Sequence, residues 1–315
     1  MIANPLRQKK YKSQKVANAT SKTISYILLV ILSLVWIIPI LWIVLNAFRV
    51  EYQPDGTYVG GIAGLGIFFP TRVGFDNFVK LWNYAYATDK SHSYLRWMGN
   101  TMLIAVCCCL ISTFLILSVA YCMSKLRFKL RKPFMNITMV LGLFPGFMSM
   151  IAIYFILKSV GLCANPNAPH LAVLGLILAY SAGSGLGFQV AKGFFDVLPN
   201  SLVESAKLDG CTNFKIFWKI ILPLSKPIII YTALMSFTGP WMDFIFAKVI
   251  LGTDSDFWTV SVGLYNMMYG GETTDTSVFT IFCAGCTCVA IPIVTLFMCL
   301  QRYYVEGVTA GAVKG

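Results

Sequence analysis

Few residues in this chain are equipped for chemistry. Its 315 residues include two histidines, His92 and His170, ten cysteines and 13 carboxylates. Acid–base or nucleophilic catalysis needs a base within reach of a nucleophile, and the sequence around neither histidine offers that pairing. Cys283, Cys286 and Cys288 are spaced closely enough to suggest metal ligands. No histidine or carboxylate lies near them, so they read as small polarizable core residues, and no metal is expected. Gly183-Ser-Gly-Leu-Gly187 is glycine-rich but lacks the Gly-x4-Gly-Lys-Ser/Thr spacing that cradles phosphates. Small residues for close helix packing are the expected reading there. The chain is therefore not expected to be an enzyme, and no cofactor of its own is implied.

The stretch Pro199–Pro223 is more informative. Ser201 followed by Glu204 has the form of a capping box, which predicts the start of a short helix. Leu202, Val203 and Ala206 would share its apolar face, and Gly210 would end it at positive φ. Phe214-Lys-Ile-Phe-Trp-Lys-Ile-Ile-Leu222-Pro223 follows, apolar and basic, as in a helix lying at a membrane surface. On pattern alone this is a capped interfacial helix joining two spans.

The elements that must position these residues are membrane helices. The composition is 57 % hydrophobic and 12 % charged, with a mean hydropathy of +0.71. So few charges cannot coat a water-facing surface of this size. Six segments are apolar over roughly the 20 residues needed to span hydrocarbon: Ile24–Phe48, Asn100–Met123, Phe134–Leu157, Leu171–Val190, Pro227–Val249 and Val278–Leu300. The run from Ile24 follows basic residues as a signal peptide would. It is too long for one and lacks an Ala-x-Ala exit, so it reads as an uncleaved span.

The net charge of +12 is spread in short runs between apolar segments, which argues against nucleic acid. Eighteen of the 25 basic residues lie in the N-terminal tail, the loop after span two, the segment between spans four and five, and the C-terminal tail. The positive-inside rule then places both termini in the cytoplasm, as an even number of spans requires. The expected organisation is a basic tail over 1–23, a six-span domain over 24–300 and a C-terminal tail over 301–315. Within it, a loop near 49–96 faces outside and a segment near 191–226 faces the cytoplasm.

Glu204-Ser205-Ala206, Gly210, Ile220 and Leu222-Pro223 resemble the EAA loop of ABC importer permeases, spacing included. Ser205 replaces the usual second alanine, a small-for-small exchange. The resemblance extends over nearly the whole chain through Phe144–Met150, Ala191–Asp196, Gly239–Phe244 and the tail Gln301–Gly315. It is closest to MalG-type permeases of sugar importers, in particular the maltodextrin branch of Gram-positive bacteria.

That resemblance implies an all-α integral membrane protein of the ABC importer type I permease fold, with a cytoplasmic coupling helix and residence in the bacterial plasma membrane. Glu204, Ser205, Ala206, Asp209, Gly210, Leu222 and Pro223 would form the element that docks in an ATPase. Thr309, Gly311 and Lys314 in the tail would touch the same partner. ATP would be used by a cytosolic ATPase dimer. A second, MalF-type permease and an extracellular solute-binding protein would complete the assembly, with maltose or maltodextrin as the expected sugar and another oligosaccharide as the alternative. Asp243, the one acid placed within a span, and Trp241 are candidates to line the sugar path, because carboxylates accept from hydroxyls and aromatic faces cover sugar C–H surfaces. The competing reading is that Asp243 bonds to backbone or to a partner for assembly. Gly142, Pro145 and Gly146 would interrupt span three, Pro39 and Pro292 spans one and six, and a gate near Phe144–Met150 is one use of such breaks. An ion-coupled secondary transporter is the other class considered; it would carry an inverted repeat, and none is visible.

Overall fold

A computed structural model of the chain describes residues 5–50, 68–86, 92–165, 167–183, 187–270 and 278–310. Those residues are almost entirely helical. Hydrocarbon offers no partner for an open backbone group, so an apolar chain satisfies its amides within each helix. In order the helices are α1 (Pro5–Ala47), α2 (Asp76–Trp82), α3 (Ser93–Lys125), α4 (Arg131–Leu141), α5 (Gly146–Ser159), α6 (His170–Gly183) and α7 (Phe188–Val197). There follow α8 (Asn200–Leu208), α9 (Asn213–Ile216), a π turn at Phe217–Ile221, α10 (Leu222–Leu224), α11 (Lys226–Met242), α12 (Ile245–Leu251), α13 (Val260–Tyr269) and α14 (Val278–Ala310).

Among the described residues the six apolar segments are mainly helical, but they are built differently. Ser21–Ala47, Ser93–Lys125 and Val278–Gln301 are continuous helices long and apolar enough to cross a membrane. Two bent pairs raise that number to five when each counts as one span. The segment read as span three breaks at Gly142–Pro145, where α4 and α5 meet at 103°. Pro145 stands at the N-cap of α5, where its missing N–H costs nothing. Pro39 and Pro292, by contrast, lie inside unbroken helices. The expected breaks there do not form. The segment read as span four is the short apolar helix His170–Ala182. The next helix, α7, begins at Phe188, and residues 184–186 of the glycine-rich cluster lie outside the described residues. A methyl group on Gly187 would meet only Ile116 Cδ1, at 3.6 Å, so tight packing does not explain that glycine.

The helix α3 is the hub. A third of its apolar window is buried (33 %), against none of the window of α1 (0 %). It packs against α6, α7, α11 and α13 and joins two separate cores. The first core gathers Tyr94, Trp97, Ile104 and Cys108 of α3 with Leu176, Trp241, Trp258, Val260, Val262 and Cys283. Trp97 is fully buried, and Gly263 makes room for it. A Cβ on that glycine would fall 2.1 Å from the indole ring. The second core gathers Ile116, Leu117 and Tyr121 at the other end of α3 with Phe188, Phe195, Val203, Ile216, Phe217 and Ile221.

The loop expected to form an external cap is held to the first core. Asn77 of α2 is buried and donates to the carbonyls of Ala47 and Arg49, at 2.9 and 2.8 Å. Tyr86 meets Trp258 edge-on, with ring centroids 4.9 Å apart. Residues 51–67 and 87–91 of that loop lie outside the described residues.

Candidate functional site

The helix α8 begins at Asn200, two residues before the start that the capping-box reading expects. Pro199 occupies the N-cap position and no side chain caps the helix, so the Ser201–Glu204 box does not form. A different group holds this end. Lys125, the last residue of α3, donates from Nζ to the Leu198 carbonyl at 2.7 Å and to Asn200 Oδ1 at 3.0 Å. With Asn200 drawn in this way, the helix starts there and Ser201 falls inside its first turn.

The far end of α8 follows the sequence reading. Gly210 has φ +75°. Its amide bonds to the Lys207 carbonyl at 3.0 Å, and the Cys211 amide bonds to the Ala206 carbonyl at 2.9 Å. This is a Schellman closure, which needs the left-handed conformation that glycine adopts freely. A Cβ on Gly210 would meet nothing within 4 Å. The glycine is thus required by its backbone angle and not by space within this chain. Thr212 then caps α9, accepting from the Lys215 amide at 3.3 Å.

Burial divides α8 sharply. Val203 and Ala206 are buried in the second core, whereas Leu202, expected on the same apolar face, is 39 % exposed and lies outside that core. Glu204, Ser205, Asp209 and Gly210 are all exposed. Leu208, at 90 % exposure, and Phe214, at 70 %, project as apolar knobs on either side of Gly210. Such large bare apolar side chains on a firmly seated helix are what a docking element presents to a partner.

Pro223 explains the π turn. It cannot donate to the carbonyl one turn back, and the helix widens so that the Leu222 amide reaches the Phe217 carbonyl instead. The widening keeps Ile216, Phe217 and Ile221 in the second core while Lys215 and Lys219 stay outside. Aromatic residues are inward only in part, because Trp218 is 47 % exposed and stacks on Phe114 of α3. At Ser225 the chain turns through 88° into α11. The block α7–α8–α9–α10 is thus packed on one end of α3 and leads directly into α11.

Trp241 and Asp243 are separated by their surroundings. Trp241 is only 3 % exposed, beside Phe237. Asp243 ends α11 in extended conformation and joins three elements. It accepts from Tyr180 Oη of α6 at 2.5 Å and from the Phe246 amide of α12 at 3.3 Å. Its own carbonyl accepts from Ser261 Oγ of α13 at 2.6 Å. Sequence reasoning missed Tyr180, Ser261 and Lys125. Tyr180 is 63 residues from its partner, a separation no local spacing reveals. Lys125 looked like one more basic residue in a run.

Of the tail residues, Thr309 lies in the last turn of α14, while Gly311 and Lys314 fall outside the described residues. Among the described residues no group of histidine, cysteine and carboxylate side chains could hold a metal.

Residues 112–309 match the model of a family described as "Binding-protein-dependent transport system inner membrane component". The galactooligosaccharides transport system permease protein GanQ of Bacillus subtilis is 32 % identical over 92 % of this chain and 95 % of its own length. The maltodextrin transport system permease protein MalD of Streptococcus pneumoniae is 30 % identical over 96 % of this chain and 99 % of its own. The crystal structure of a bacterial ABC transporter involved in the import of the acidic polysaccharide alginate contains a similar chain. It aligns with a TM-score of 0.74 at 20 % identity, covering 91 % of this chain and 98 % of that one.

Proposed function

This chain belongs to the family of binding-protein-dependent transport system inner membrane components, and on that premise we propose that it is a permease subunit of a sugar ABC importer. In this reading a second permease and this chain enclose the path, an ATPase dimer docks on the exposed face of α8, and an extracellular solute-binding protein delivers the sugar. Both termini face the cytoplasm.

The observation that supports this most is the α8 block. A short helix is closed at Gly210, buried on one face and bare on the other, and packed on a core that runs into α11. A push on Glu204, Leu208 and Asp209 is therefore passed to α3 and α11 through close-packed side chains, without a flexible link between them. ATP binding and hydrolysis belong to the partner.

The substrate is an oligosaccharide, with maltodextrin as the first to test. The relatives named above are permeases of maltodextrin and galactooligosaccharide systems, so both sugars belong in the same assay. Trp241 and Asp243 would act on the sugar path indirectly, by fixing the break between α11 and α12. The complex purified from its native membrane and reconstituted in liposomes should take up the sugar only with ATP, the ATPase and the binding protein present. Uptake by this chain alone, driven by an ion gradient, would overturn the proposal.

A further inference from the structure

A cleft of about 970 Å³ lies between the end of α3, the segment leading to α4, and α8. Four cations line it, Lys125, Arg127, Arg131 and Lys207, against two acids, Asp196 and Glu204. Asp196 is already engaged. It accepts from Lys192 Nζ and from Ser124 Oγ, each at 2.6 Å, and Lys192 is not part of the cleft lining. Lys125 spends its hydrogen bonds on neutral oxygens, the Leu198 carbonyl and Asn200 Oδ1. The cleft therefore keeps a surplus of positive charge with Glu204 as its only uncommitted acid. Asn200 and Val203 of α8 line it as well, so the flank of that helix forms one wall.

The depth of the cleft narrows the ligand. Lys125 ends an apolar span, and just beyond it Phe128 and Leu130 are bare apolar side chains, 39 % and 58 % exposed. A site where cations meet an apolar rim at the end of a span lies at headgroup level. Its width suits a group larger than a bare ion.

We propose that this cleft binds a phosphate-bearing anion, with Arg127 and Arg131 as its principal ligands. Arginine matches phosphate because its planar fork donates two parallel hydrogen bonds. The phosphate comes from an anionic phospholipid headgroup or from a soluble phosphate. Binding does not depend on the importer reading. Its consequence does: Lys125 and Lys207 tie the cleft to both ends of α8, so an occupied cleft would fix the docking helix and raise coupled uptake.

The test uses the protein as purified from its native membrane with whatever subunits accompany it, stripped of lipid and placed in nanodiscs of phosphatidylcholine with or without phosphatidylglycerol. Bound lipid is read by native mass spectrometry, and inorganic phosphate binding by calorimetry on the same preparation. The wild type should retain phosphatidylglycerol selectively, and Arg127→Gln with Arg131→Gln should weaken retention about tenfold or more, because charge-assisted hydrogen bonds are the strong class. Lys22→Gln, a basic change remote from the cleft, should leave retention unchanged. Selective phosphate binding without lipid retention, lost in the double variant, would assign the soluble source. Equal retention in the wild type and the double variant, or neither ligand bound, would overturn the proposal. If the double variant does not assemble, Arg127→Gln alone carries the test, since that side chain is exposed. Transport is not read in this assay, so a failed importer reading leaves its result intact.

Discussion

The two ends of α3 are secured by different means. At the Trp97 end, polar bonds join residues far apart in the sequence. Arg96 pairs with Asp256 at 2.8 Å, Trp97 Nε1 donates to the Ser255 carbonyl at 2.8 Å, and Asn100 donates to the carbonyls of Asp256 and Trp258. Thr101 accepts from the Val260 amide, and Tyr94 donates to the Gly285 carbonyl. At the Lys125 end the polar bonds reach less far along the chain, from Tyr121 to Asn213, Ser124 to Asp196, and Lys125 to Leu198 and Asn200. Around them, side chains such as Leu208 and Phe214 are left bare. On the importer reading the Trp97 end is the fixed end, and the Lys125 end, with its bare face for a partner, is the movable one.

Gly210→Val should break the movable end most completely. A β-branched residue is strongly disfavoured at φ +75°, so the Schellman closure opens and coupled uptake is lost while the complex still inserts. Gly210→Asn should retain most uptake, because asparagine visits that conformation. Loss in both variants, measured at equal complex abundance, would mean that a partner needs the space itself.

The fixed end should show the largest stability effect. Trp97→Ala empties a fully buried site and should cost about 3–5 kcal/mol, read as a lower unfolding midpoint of the purified complex. A smaller loss there than at Phe195→Ala, in the second core, would reverse the contrast between the ends. Lys125→Met is a milder change at the movable end. It frees the Leu198 carbonyl and the exposed Asn200, and should cost about 1–2 kcal/mol with a larger fall in uptake than in stability.

The smallest effect is a pH dependence at Asp196. Burial acts against its charge, but hydrogen bonds from Lys192 and Ser124 outweigh that and hold the carboxyl below the usual carboxylate range. A lowered folded value makes the contribution fully present above the unfolded value of about 4, and it is lost as the pH falls through the folded one. The side chain is 42 % exposed, so solvent screening leaves a few tenths of a kcal/mol at most, about the scale of a surface pair. Asp196→Asn should flatten the acid limb of a stability profile and leave the neutral region unchanged.

The sequence shows membrane residence and the end of α8 clearly, because both depend on local properties. Apolar length is counted along the chain, and Gly210 is required by the backbone angle at its own position. The start of α8 was misread for a related reason. Ser201 and Glu204 have the spacing of a cap, but Lys125, 75 residues away from Asn200, offers a competing bond that no local pattern discloses. Breaks were equally uneven. Pro39 and Pro292 are absorbed within long helices, while Gly142 and Pro145 together stop one, since a proline that follows a turn can start a new helix at no cost in hydrogen bonds. The role of Asp243 was hidden because its partners come from α6, α12 and α13.

The first helix has a consequence for how the protein is made. None of the apolar window of Ser21–Ala47 is buried within the chain, and α1 packs against α14, where the Trp42 and Phe279 rings meet at a tilt. Within the chain it finds little to pack against. Its tilt and rotation are set by lipid or by another subunit. On the importer reading, a copy made without its partner subunits should be cleared faster by cellular proteases than one made with them, as read by pulse-chase.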